Sequence, residues 1–475
     1  MPNMHQYLEQ LHKSDLYPFH IPGHKRRAEL FDEEEEAAIS GAYTIDFTET
    51  PLTDDLFEPN GIIREVKDKT NRLYSDTRGD LETHILVNGA TAGVMTAVSA
   101  LLNEDDTIIV ARNSHRSLYH ALYLNHLHAV YVQPGVSEAY GFAGPVSPDD
   151  VARAIAIAPD AKAIFITSPT YEGVLSDVAL IAVIAHSHNI PLIVDESHGA
   201  HLGLYPMLPR SALQQGADVV IHSAHKTLAG MSQTAFLHVQ GTLVNRDRIA
   251  RFLRIYQTSS PSFVLMSSID TAVSDLSVKS VMRFETLLGY KNMILTDCAA
   301  MRVLRIADET IVNDPCKVVI LSDYITGNAL ADILRTEYRI EVEMARDTHV
   351  VLVVTPYDTI EGIDRLIYAL LTIDAQLAAS GETIVSPVNR SPLPALTSAF
   401  LSISDAWDAP FEEVSLAEAT GLISADFIYA YPPGIPLIVP GEEFSSEMCA
   451  YLTSRITSQT LRGVSLSGTV RCVLA

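Results

Sequence analysis

The residues whose types and spacing could do chemistry are concentrated between an apolar run at 219–221 and a second one that ends at Val239. A polar group between these two runs contains Ser223, His225 and Lys226. An ammonium group is costly to bury without a partner, so a lysine held between two buried strands is normally paired, shifted in pKa or used covalently. A lysine at a strand end that simply faces water is the ordinary alternative.

About thirty residues before Lys226, another apolar run is followed directly by the carboxylate of Asp195, and His198 comes three residues later. A buried strand that ends in a carboxylate, beside one that ends in a lysine, is the arrangement that pyridoxal 5'-phosphate (PLP) enzymes need. The lysine forms a Schiff base with the cofactor, and the carboxylate pairs with the pyridinium nitrogen. Ser223 and His225 are donors suited to an anionic group. The two motifs therefore predict a PLP site in which Lys226 is the reactive lysine.

A third segment has the composition of an anion-binding turn. Gly-Ala-Thr-Ala-Gly at 89–93 lies between a predicted strand and a predicted apolar helix. Small residues there let backbone amides and the Thr91 hydroxyl approach an anion, and the helix N-terminus adds a favourable dipole. Glycine is common in such turns, so the segment alone is a weak signal. Its position before the carboxylate and lysine motifs is what indicates a phosphate site. It predicts Ala90, Thr91 and Ala92 as contacts of the cofactor phosphate.

Four motifs, taken together, make the chain resemble a known family. They are Ser-Ala-His-Lys-Thr-Leu at 223–228, Val-Asp-Glu-Ser-His-Gly-Ala-His at 194–201, His-Ile-Pro-Gly-His-Lys at 20–25 and Tyr-Pro-Pro-Gly-Ile-Pro at 431–436. In their order along the chain, these motifs are similar to those of the Orn/Lys/Arg decarboxylase family, in its shorter form without an N-terminal wing domain. The resemblance extends over nearly the whole chain, and it implies that the motif at 20–25 lies near the active site.

The resemblance implies a fold, a reaction and an assembly. The fold is that of fold type I PLP enzymes, as in aspartate aminotransferase. The reaction is the decarboxylation of a small-molecule basic amino acid (arginine, lysine or ornithine) to agmatine, cadaverine or putrescine, with release of carbon dioxide. The assembly is a homodimer or higher homo-oligomer with a shared active site, in which the segment containing Ser259 and Ser260 reaches the phosphate of the neighbouring subunit.

The same resemblance assigns roles to individual residues. Lys226 would carry the cofactor, and Lys226, His225 and His198 are the catalytic candidates for returning a proton to the α carbon, a choice that the sequence leaves open. His115 would lie flat over the pyridine ring, although a histidine that merely starts a helix is the alternative. The implied cofactor contacts are Ala90, Thr91, Ala92, His115, Asp195, His198, Ser223, His225 and Lys226.

Recognition of the substrate's cationic end requires a carboxylate or a set of carbonyl groups. Asp54, Asp55 and Glu442 are the candidates, and capping is the default role of the two aspartates. Ser259 and Ser260 are candidates for contact with the second subunit, or else they cap the next helix. Arginine would suit a planar bidentate partner and lysine a point charge. The sequence leaves the substrate open, and the short-form resemblance favours arginine slightly.

The composition excludes several classes of protein. The 475 residues include 47% hydrophobic and 19% charged residues, which is typical of a folded globular chain of two or three domains. The formal charge of -25 disfavours a nucleic-acid-binding protein, because binding to phosphate backbones requires a basic face. The 4 cysteines are scattered, and no apolar run approaches the length of a membrane span. We expect no metal, no nucleic-acid or membrane partner, and a cytoplasmic location.

Predicted strands and helices alternate over most of the chain. β-branched runs between helices predict an α/β fold with a mainly parallel sheet covered on both faces. Together with the resemblance, this indicates a mainly parallel seven-stranded sheet in the large domain, followed by smaller C-terminal α/β domains. Ligands bind such sheets at the carboxyl ends of the strands. The predicted division is an N-terminal segment at 1–20, a PLP-binding major domain at 21–290, a small α/β domain at 291–380 and a C-terminal decarboxylase domain at 395–475.

Two other functions fit the same residues. Aminotransferases of this fold usually bind the substrate carboxylate with an arginine of the small domain, and the predicted strand at 349–354 carries none, with Arg346 just before it. This weighs against transamination. A catalytically silent PLP-binding or regulatory homologue is the second alternative, because a cofactor site does not guarantee turnover. Ser197 and Ala224 depart from the commoner family pattern, and both are small enough to fit.

Overall fold

The computed structural model describes most of the chain. The residues that it describes are 17–19, 23, 47–49, 53–75, 79–137, 139–380, 399–430, 434–456 and 461–474. The predicted motif at 20–25, apart from Gly23, lies outside these residues, as do the first three positions of the motif at 431–436.

The elements are numbered in chain order. The strands are β1 Tyr17–Phe19, β2 Glu82–Leu86, β3 Thr107–Ala111, β4 His128–Val132, β5 Ala163–Thr167, β6 Leu192–Asp195, β7 Val219–His222, β8 Ala235–Val239, β9 Leu304–Ile306, β10 Lys317–Ser322, β11 Ile340–Val342, β12 Met344–Ala345, β13 His349–Val353, β14 Phe411–Ser415, β15 Ile428–Ala430, β16 Ile435–Ile438, β17 Leu461–Arg462 and β18 Thr469–Val473. The α-helices are α1 Ile62–Tyr74, α2 Gly89–Leu101, α3 Arg116–Leu124, α4 Pro148–Ile157, α5 Val178–Ser187, α6 Ala212–Gln215, α7 Ala224–Thr227, α8 Arg246–Tyr256, α9 Phe263–Asp297, α10 Gly327–Tyr338, α11 Ile360–Ser380, α12 Ile403–Trp407 and α13 Ser446–Thr453.

Seven strands form the large sheet, in the order β2, β8, β7, β6, β5, β3 and β4. Strand β8 pairs antiparallel with both β2 and β7. The remaining neighbours pair in parallel, which sends the carboxyl ends of β3, β5, β6 and β7 to the same edge of the sheet. The mainly parallel, seven-stranded sheet expected from the sequence is therefore confirmed.

Helices cover both faces of this sheet. Side chains alternate along a strand, so Ile164 and Ile166 of β5 pack in one apolar cluster and Phe165 packs in the other. The first cluster includes residues of α4, α5 and α9, and the second includes residues of α2, α3 and α8. Burial on both sides explains the nearly continuous apolar runs in the sequence. Among the described residues, no helix has the length and apolar character needed to cross a bilayer.

The smaller sheets follow the large one in sequence. Strands β12, β13, β10 and β9 form a four-stranded antiparallel sheet, and the C-terminal portion contains the pair β14 and β18 and the three-stranded sheet β16, β15, β17. This agrees with the predicted smaller α/β domains. The predicted boundary at 290 falls inside α9, which continues to Asp297 with Ile294 fully buried. The domain limits remain a prediction.

Candidate active site

Lys226 lies on the short helix α7, directly after the carboxyl end of β7. The sequence predicted a lysine held between two buried strands, and the segment after α7 leads into β8 as expected. Enclosure lowers the pKa of Lys226, and the nearby carboxylates of Asp195 and Glu343 oppose this effect. A lysine with a lowered pKa is a better nucleophile near neutral pH.

His198 lies between two lysine side chains. Its Nε2 atom is 3.1 Å from Nζ of Lys226, and its Nδ1 atom is 2.9 Å from Nζ of Lys317. The ring of Tyr171 packs edge-on against the imidazole, with ring centroids 4.7 Å apart. Burial, together with the charges of the two lysines, lowers the pKa of His198 well below its usual value. The imidazole is therefore neutral at physiological pH and in direct contact with Lys226.

Asp195 is the last residue of β6 and is 5% exposed. Its Oδ1 atom accepts a hydrogen bond from the amide of Ser197 at 3.1 Å. Because β6 lies between β5 and β7, Asp195 sits beside the strand that leads to Lys226, and both side chains line one cavity. A carboxylate in this position can pair with a protonated pyridine nitrogen.

Two parts of the cavity wall suit an anion. Ala90 and Thr91 line the cavity in the first turn of α2, whereas Ala92 is buried within the helix. The N-cap residue Asn88 makes no side-chain capping bond in the described part of the chain, which leaves amides of the first turn for a ligand. The Ser223 hydroxyl is buried without a hydrogen-bond partner among the described residues. Such a group is costly unless a ligand satisfies it, so both features fit a phosphate.

Two further histidines line the cavity. His115 is the N-cap of α3, and its Nδ1 atom lies 2.9 Å from Oγ of Ser117, so the helix-start role and a place in the site coexist. Burial is the main cause that lowers the pKa of His115 to about 3. The Nδ1 atom of His225 lies 2.9 Å from the carbonyl oxygen of Thr234, so Nδ1 carries the ring proton, and burial lowers the pKa of His225 to about 4.

These side chains surround a cavity of about 500 Å³, a size usual for a small-molecule site. The predicted site residues that line it are Ala90, Thr91, His115, Asp195, His198, Ser223, His225 and Lys226. The set offers a lysine for the aldehyde of PLP, a carboxylate for its ring nitrogen, and a helix N-terminus with a free hydroxyl for its phosphate. The residues present therefore fit this cofactor.

The cavity wall also contains charged residues that the sequence patterns did not predict. Glu172, Glu343 and Asp347 contribute negative charge, and Arg112, Arg116, Arg346 and Arg455 contribute positive charge. Glu172 lies in the loop that follows β5, so the strand-end rule that found Asp195 could have found it too. Glu343, Arg346 and Asp347 come from the small-domain segment around β12, where no local motif marks them.

The aspartates predicted as substrate contacts have capping roles instead. Oδ1 of Asp54 accepts from the amide of Asn60 at 2.9 Å, and Oδ2 accepts from the amide of Gly61 at 2.8 Å. Oδ1 of Asp55 accepts from the amide of Phe57 at 2.7 Å. Neither side chain belongs to the cavity wall that the described residues form. The default interpretation was correct, because these carboxylates satisfy the backbone of a tight loop.

Glu442 is also placed differently from the prediction. Its two carboxylate oxygens pair with Nε and Nη2 of Arg112 at 3.2 and 3.0 Å, and Oε2 accepts from the amide of Val439 at 2.8 Å. The pair is almost completely buried, and Arg112 lines the cavity whereas Glu442 does not, so the Glu442 carboxylate is used to hold Arg112. Arg112 also donates to the carbonyl of Pro436 at 2.7 Å. The pair joins the C-terminal motif to the end of β3.

Ser259 and Ser260 are exposed in the segment between α8 and α9 and do not contribute to the described wall of their own cavity. The amide of Ser260 donates to Oγ1 of Thr258 at 3.2 Å. The preceding Gln257 is buried, and its Oε1 atom accepts from the amide of Val87 at 2.8 Å. The segment is therefore anchored next to β2 while its two serines face outward.

Gly23 connects the N-terminal motif to the lysine turn. Its amide donates to the carbonyl of His225 at 2.6 Å, and its carbonyl accepts from Oγ1 of Thr355 at 3.0 Å. A Cβ atom at this position would lie 2.4 Å from the carbonyl oxygen of Leu228 and 3.0 Å from that of Lys226. A glycine is needed for so close an approach of two backbones. The motif thus contacts the lysine turn through Gly23.

Solved structures share this fold. Lysine decarboxylase A from Pseudomonas aeruginosa superposes with a TM-score of 0.74 at 18% sequence identity, covering 99% of this chain and 82% of that one. A structure of SPT with PLP superposes with a TM-score of 0.59 at 15% identity, covering 78% of this chain and 88% of the other. The chain therefore has the fold of fold type I PLP enzymes, and its cavity holds residues that fit this cofactor.

The sequence comparisons narrow this class to one family. A model described as "Orn/Lys/Arg decarboxylase, major domain" matches residues 2–287, and one described as "Orn/Lys/Arg decarboxylase, C-terminal domain" matches residues 395–461. An arginine decarboxylase from Bacillus subtilis is 32% identical over 443 residues, covering 91% of this chain and 89% of that protein. The chain belongs to the Orn/Lys/Arg decarboxylase family, which confirms the predicted enzyme class, an amino-acid decarboxylase.

We expect the free energy of unfolding to decrease as the pH falls below 6.5. Burial is the main cause that lowers the pKa of His84 and His115 to about 3 and that of His225 to about 4, from 6.5. The unfolded chain therefore binds protons on these rings in a pH range where the folded chain does not, so acid favours unfolding by about 1.4 kcal/mol per pH unit for each ring. Urea unfolding at about pH 7.5 and pH 5.5 measures the difference. Equal stability at the two pH values would contradict it.

Gly23→Ala should weaken PLP binding and destabilise the fold. The added methyl group would collide with the Leu228 carbonyl oxygen, so the lysine turn or the N-terminal motif must shift, at a cost of about 1–3 kcal/mol. PLP titration by absorbance and urea unfolding give the two readouts. Gly289→Ala in α9 is the control, because a Cβ atom there meets no described atom within 4 Å. Unchanged affinity and stability in Gly23→Ala would refute the close contact.

Proposed function

We propose that this chain is a PLP-dependent decarboxylase of a basic amino acid, and that arginine is its substrate, converted to agmatine and carbon dioxide. The observation that carries the proposal is that Lys226 and Asp195 line the same cavity. Glu172 and Glu343 in the same wall offer carboxylates for the cationic end of such a substrate. The choice of arginine is supported by the similarity to the Bacillus subtilis arginine decarboxylase.

The predicted site residues that line the cavity would have separate tasks in this reaction. Bound PLP would supply an electron sink for the electron pair released when carbon dioxide leaves. Lys226 would hold the cofactor covalently, and Asp195 would keep its ring nitrogen protonated. Ser223 and the first turn of α2 would bind the phosphate. His115 would cover one face of the ring, as the family resemblance implies.

Lys226 and His198 are the better candidates for returning a proton to the α carbon. They are in contact at 3.1 Å, so a proton can pass between them. His225 is less suited, because its Nδ1 proton is bound to the Thr234 carbonyl and its pKa of about 4 leaves Nε2 unprotonated at neutral pH.

Transamination is the second candidate, and one observation favours it. The sequence argument against it was that the strand at 349–354 lacks an arginine. Arg346, just before that strand, nevertheless lines the cavity and could bind a substrate carboxylate. The products separate the two reactions, because decarboxylation yields carbon dioxide and an amine, whereas transamination yields an oxo acid. A catalytically silent homologue would bind PLP and yield neither.

The purified protein with PLP should absorb at about 420 nm and form agmatine from arginine. Lys226→Ala should lose this band and reduce amine formation roughly a thousandfold or more, because the covalent attachment is removed. Lys162→Ala, which removes an exposed lysine, is the control and should behave as wild type. Full activity in Lys226→Ala would overturn the assignment, and an oxo acid as product would favour transamination.

We infer in addition that the chain forms a homodimer whose subunits complete each other's sites. Ser259 and Ser260 face outward from their own cavity and are therefore placed to reach a neighbour. Helix α9 carries an exposed apolar stripe of Val278, Val281 and Met282, with exposed fractions of 82%, 55% and 52%. These positions share one helix face, and a second copy of the chain would remove that face from water.

Mixing two inactive variants tests the shared site. Lys226→Ala disables the site of its own subunit, and Ser260→Glu should repel the phosphate in the neighbour's site. In a mixed dimer one site then receives an intact Lys226 and an intact Ser260, so an equimolar mixture should recover roughly a quarter of the wild-type rate. A mixture of Lys226→Ala with Asp195→Ala, both defective in their own site, should not recover. No recovery in the first mixture, with mixed dimers present, would contradict the shared site.

A further inference from the structure

His198 is held from both sides by amino groups of different parts of the chain. Nε2 faces Nζ of Lys226 at 3.1 Å, and Nδ1 faces Nζ of Lys317 at 2.9 Å. Lys317 is the first residue of β10 and is completely buried. Its aliphatic stem is tightly enclosed, since a Cβ atom at Gly173 would lie 2.6 Å from its Cγ atom. The Lys317 side chain is therefore fixed in its orientation toward His198.

The protons available to these three groups limit how they can bond. A neutral imidazole has one N–H donor and one acceptor nitrogen, whereas an ammonium group can only donate. Both contacts of His198 are hydrogen bonds only if the lysine that faces its N–H group is a neutral amine, while the other lysine donates to the acceptor nitrogen as an ammonium group or as a neutral amine. The alternative of a charged imidazole between two neutral amines is disfavoured, because burial holds the pKa of His198 far below its usual value.

Burial lowers the pKa of Lys317 as it lowers that of Lys226, but more negative groups oppose this effect at Lys317, which favours Lys317 as the lysine that carries the positive charge. Its Nζ atom lies 5.2 Å from the centroid of the Tyr171 ring, over the face that attracts a cation. Asp314 and Glu172 also favour the charged form of Lys317 and do not act in the same way on Lys226. The carboxylate that favours a charged Lys226 most strongly is Asp195, which in the proposed function is committed to the cofactor nitrogen.

We propose that Lys317 is a positioning residue for Lys226 and acts through His198. As an ammonium group, Lys317 donates to Nδ1 of His198 and so fixes the tautomer that carries its proton on Nε2. That proton is donated to Nζ of Lys226, which is thereby held as a neutral, nucleophilic amine. The inference rests on the proposed function, in which Lys226 is the residue that holds PLP.

Other titratable groups face this network and must stay unchanged in the test. They are the carboxylates of Asp195, Glu172, Glu343 and Asp314, the imidazoles of His115 and His225, and the thiol of Cys316. Replacing Lys317 alone leaves each of them in the sequence. A neutral side chain at 317 frees Nδ1 of His198 to carry the proton, so Nε2 can then accept a hydrogen bond from a protonated Lys226.

Lys317→Met is the direct test, measured on the full-length chain before PLP is added. Acetic anhydride modifies neutral amines, so mass spectrometry of the peptide containing Lys226 across a pH series gives the pH of half-maximal modification. We expect Lys317→Met to raise this midpoint by about one pH unit or more and to reduce labelling at neutral pH roughly tenfold. The rate at which the chain takes up PLP at neutral pH should fall by a similar factor.

Two variants control for charge and for packing. Lys317→Arg keeps the positive charge and should retain the wild-type midpoint. Lys291→Met removes another buried lysine, whose Nζ atom contacts the backbone carbonyl of Lys317 and no imidazole in the described structure, so it should leave the midpoint unchanged. If Lys317→Met does not fold, Lys317→Gln serves in its place, because it also removes the charge while keeping a polar side chain.

A midpoint that is unchanged in the folded Lys317→Met or Lys317→Gln variant would overturn the inference. An equal shift in Lys291→Met would overturn it as well, because a general loss of packing would then explain the effect. Agmatine formation by the wild-type protein is measured separately. Its absence would refute the proposed function, whereas an unchanged Lys226 midpoint in an active enzyme would refute only the role of Lys317.

Discussion

A lysine amino group that leaves water for an enclosed cavity loses its hydration, and the fold must stabilise it by other contacts. The parallel sheet provides these contacts, since adjacent strand ends bring Asp195 and Lys226 to one edge. His198 follows the same strand end and contacts Lys226 directly. The cavity, its charged groups and its fit to PLP all depend on this arrangement at the ends of β6 and β7.

The remaining contacts come from parts of the chain that are distant in sequence. Lys317 reaches His198 from the small antiparallel sheet, Gly23 packs against the lysine turn from the N-terminal motif, and Glu442 pairs with Arg112 from the C-terminal portion. The site is therefore assembled from separate regions held by specific backbone and charge contacts. A change in the packing of any of these three regions would therefore alter the cavity through the hydrogen bond or ion pair that connects the region to it.

The parts of the site that follow strand ends could be predicted from sequence, because one rule relates an apolar run to the polar residue after it. Asp195, Ser223 and Lys226 were found in this way, and the parallel sheet followed from the same runs. Long-range partners could not be predicted: Lys317 lies 119 positions from His198, and no local pattern joins them. Glu442 was one candidate for contact with the substrate, since nothing in its motif indicates that its partner is Arg112, 330 positions away.

The most direct test of the account is to reduce the PLP-loaded protein with borohydride and map the pyridoxyl group by mass spectrometry. Reduction converts a Schiff base to a stable amine, so it marks the lysine that held the cofactor. We expect the label on the peptide that contains Lys226 and on neither Lys317 nor Lys291. A label on another lysine, or none after PLP has bound, would contradict the assignment on which the account depends.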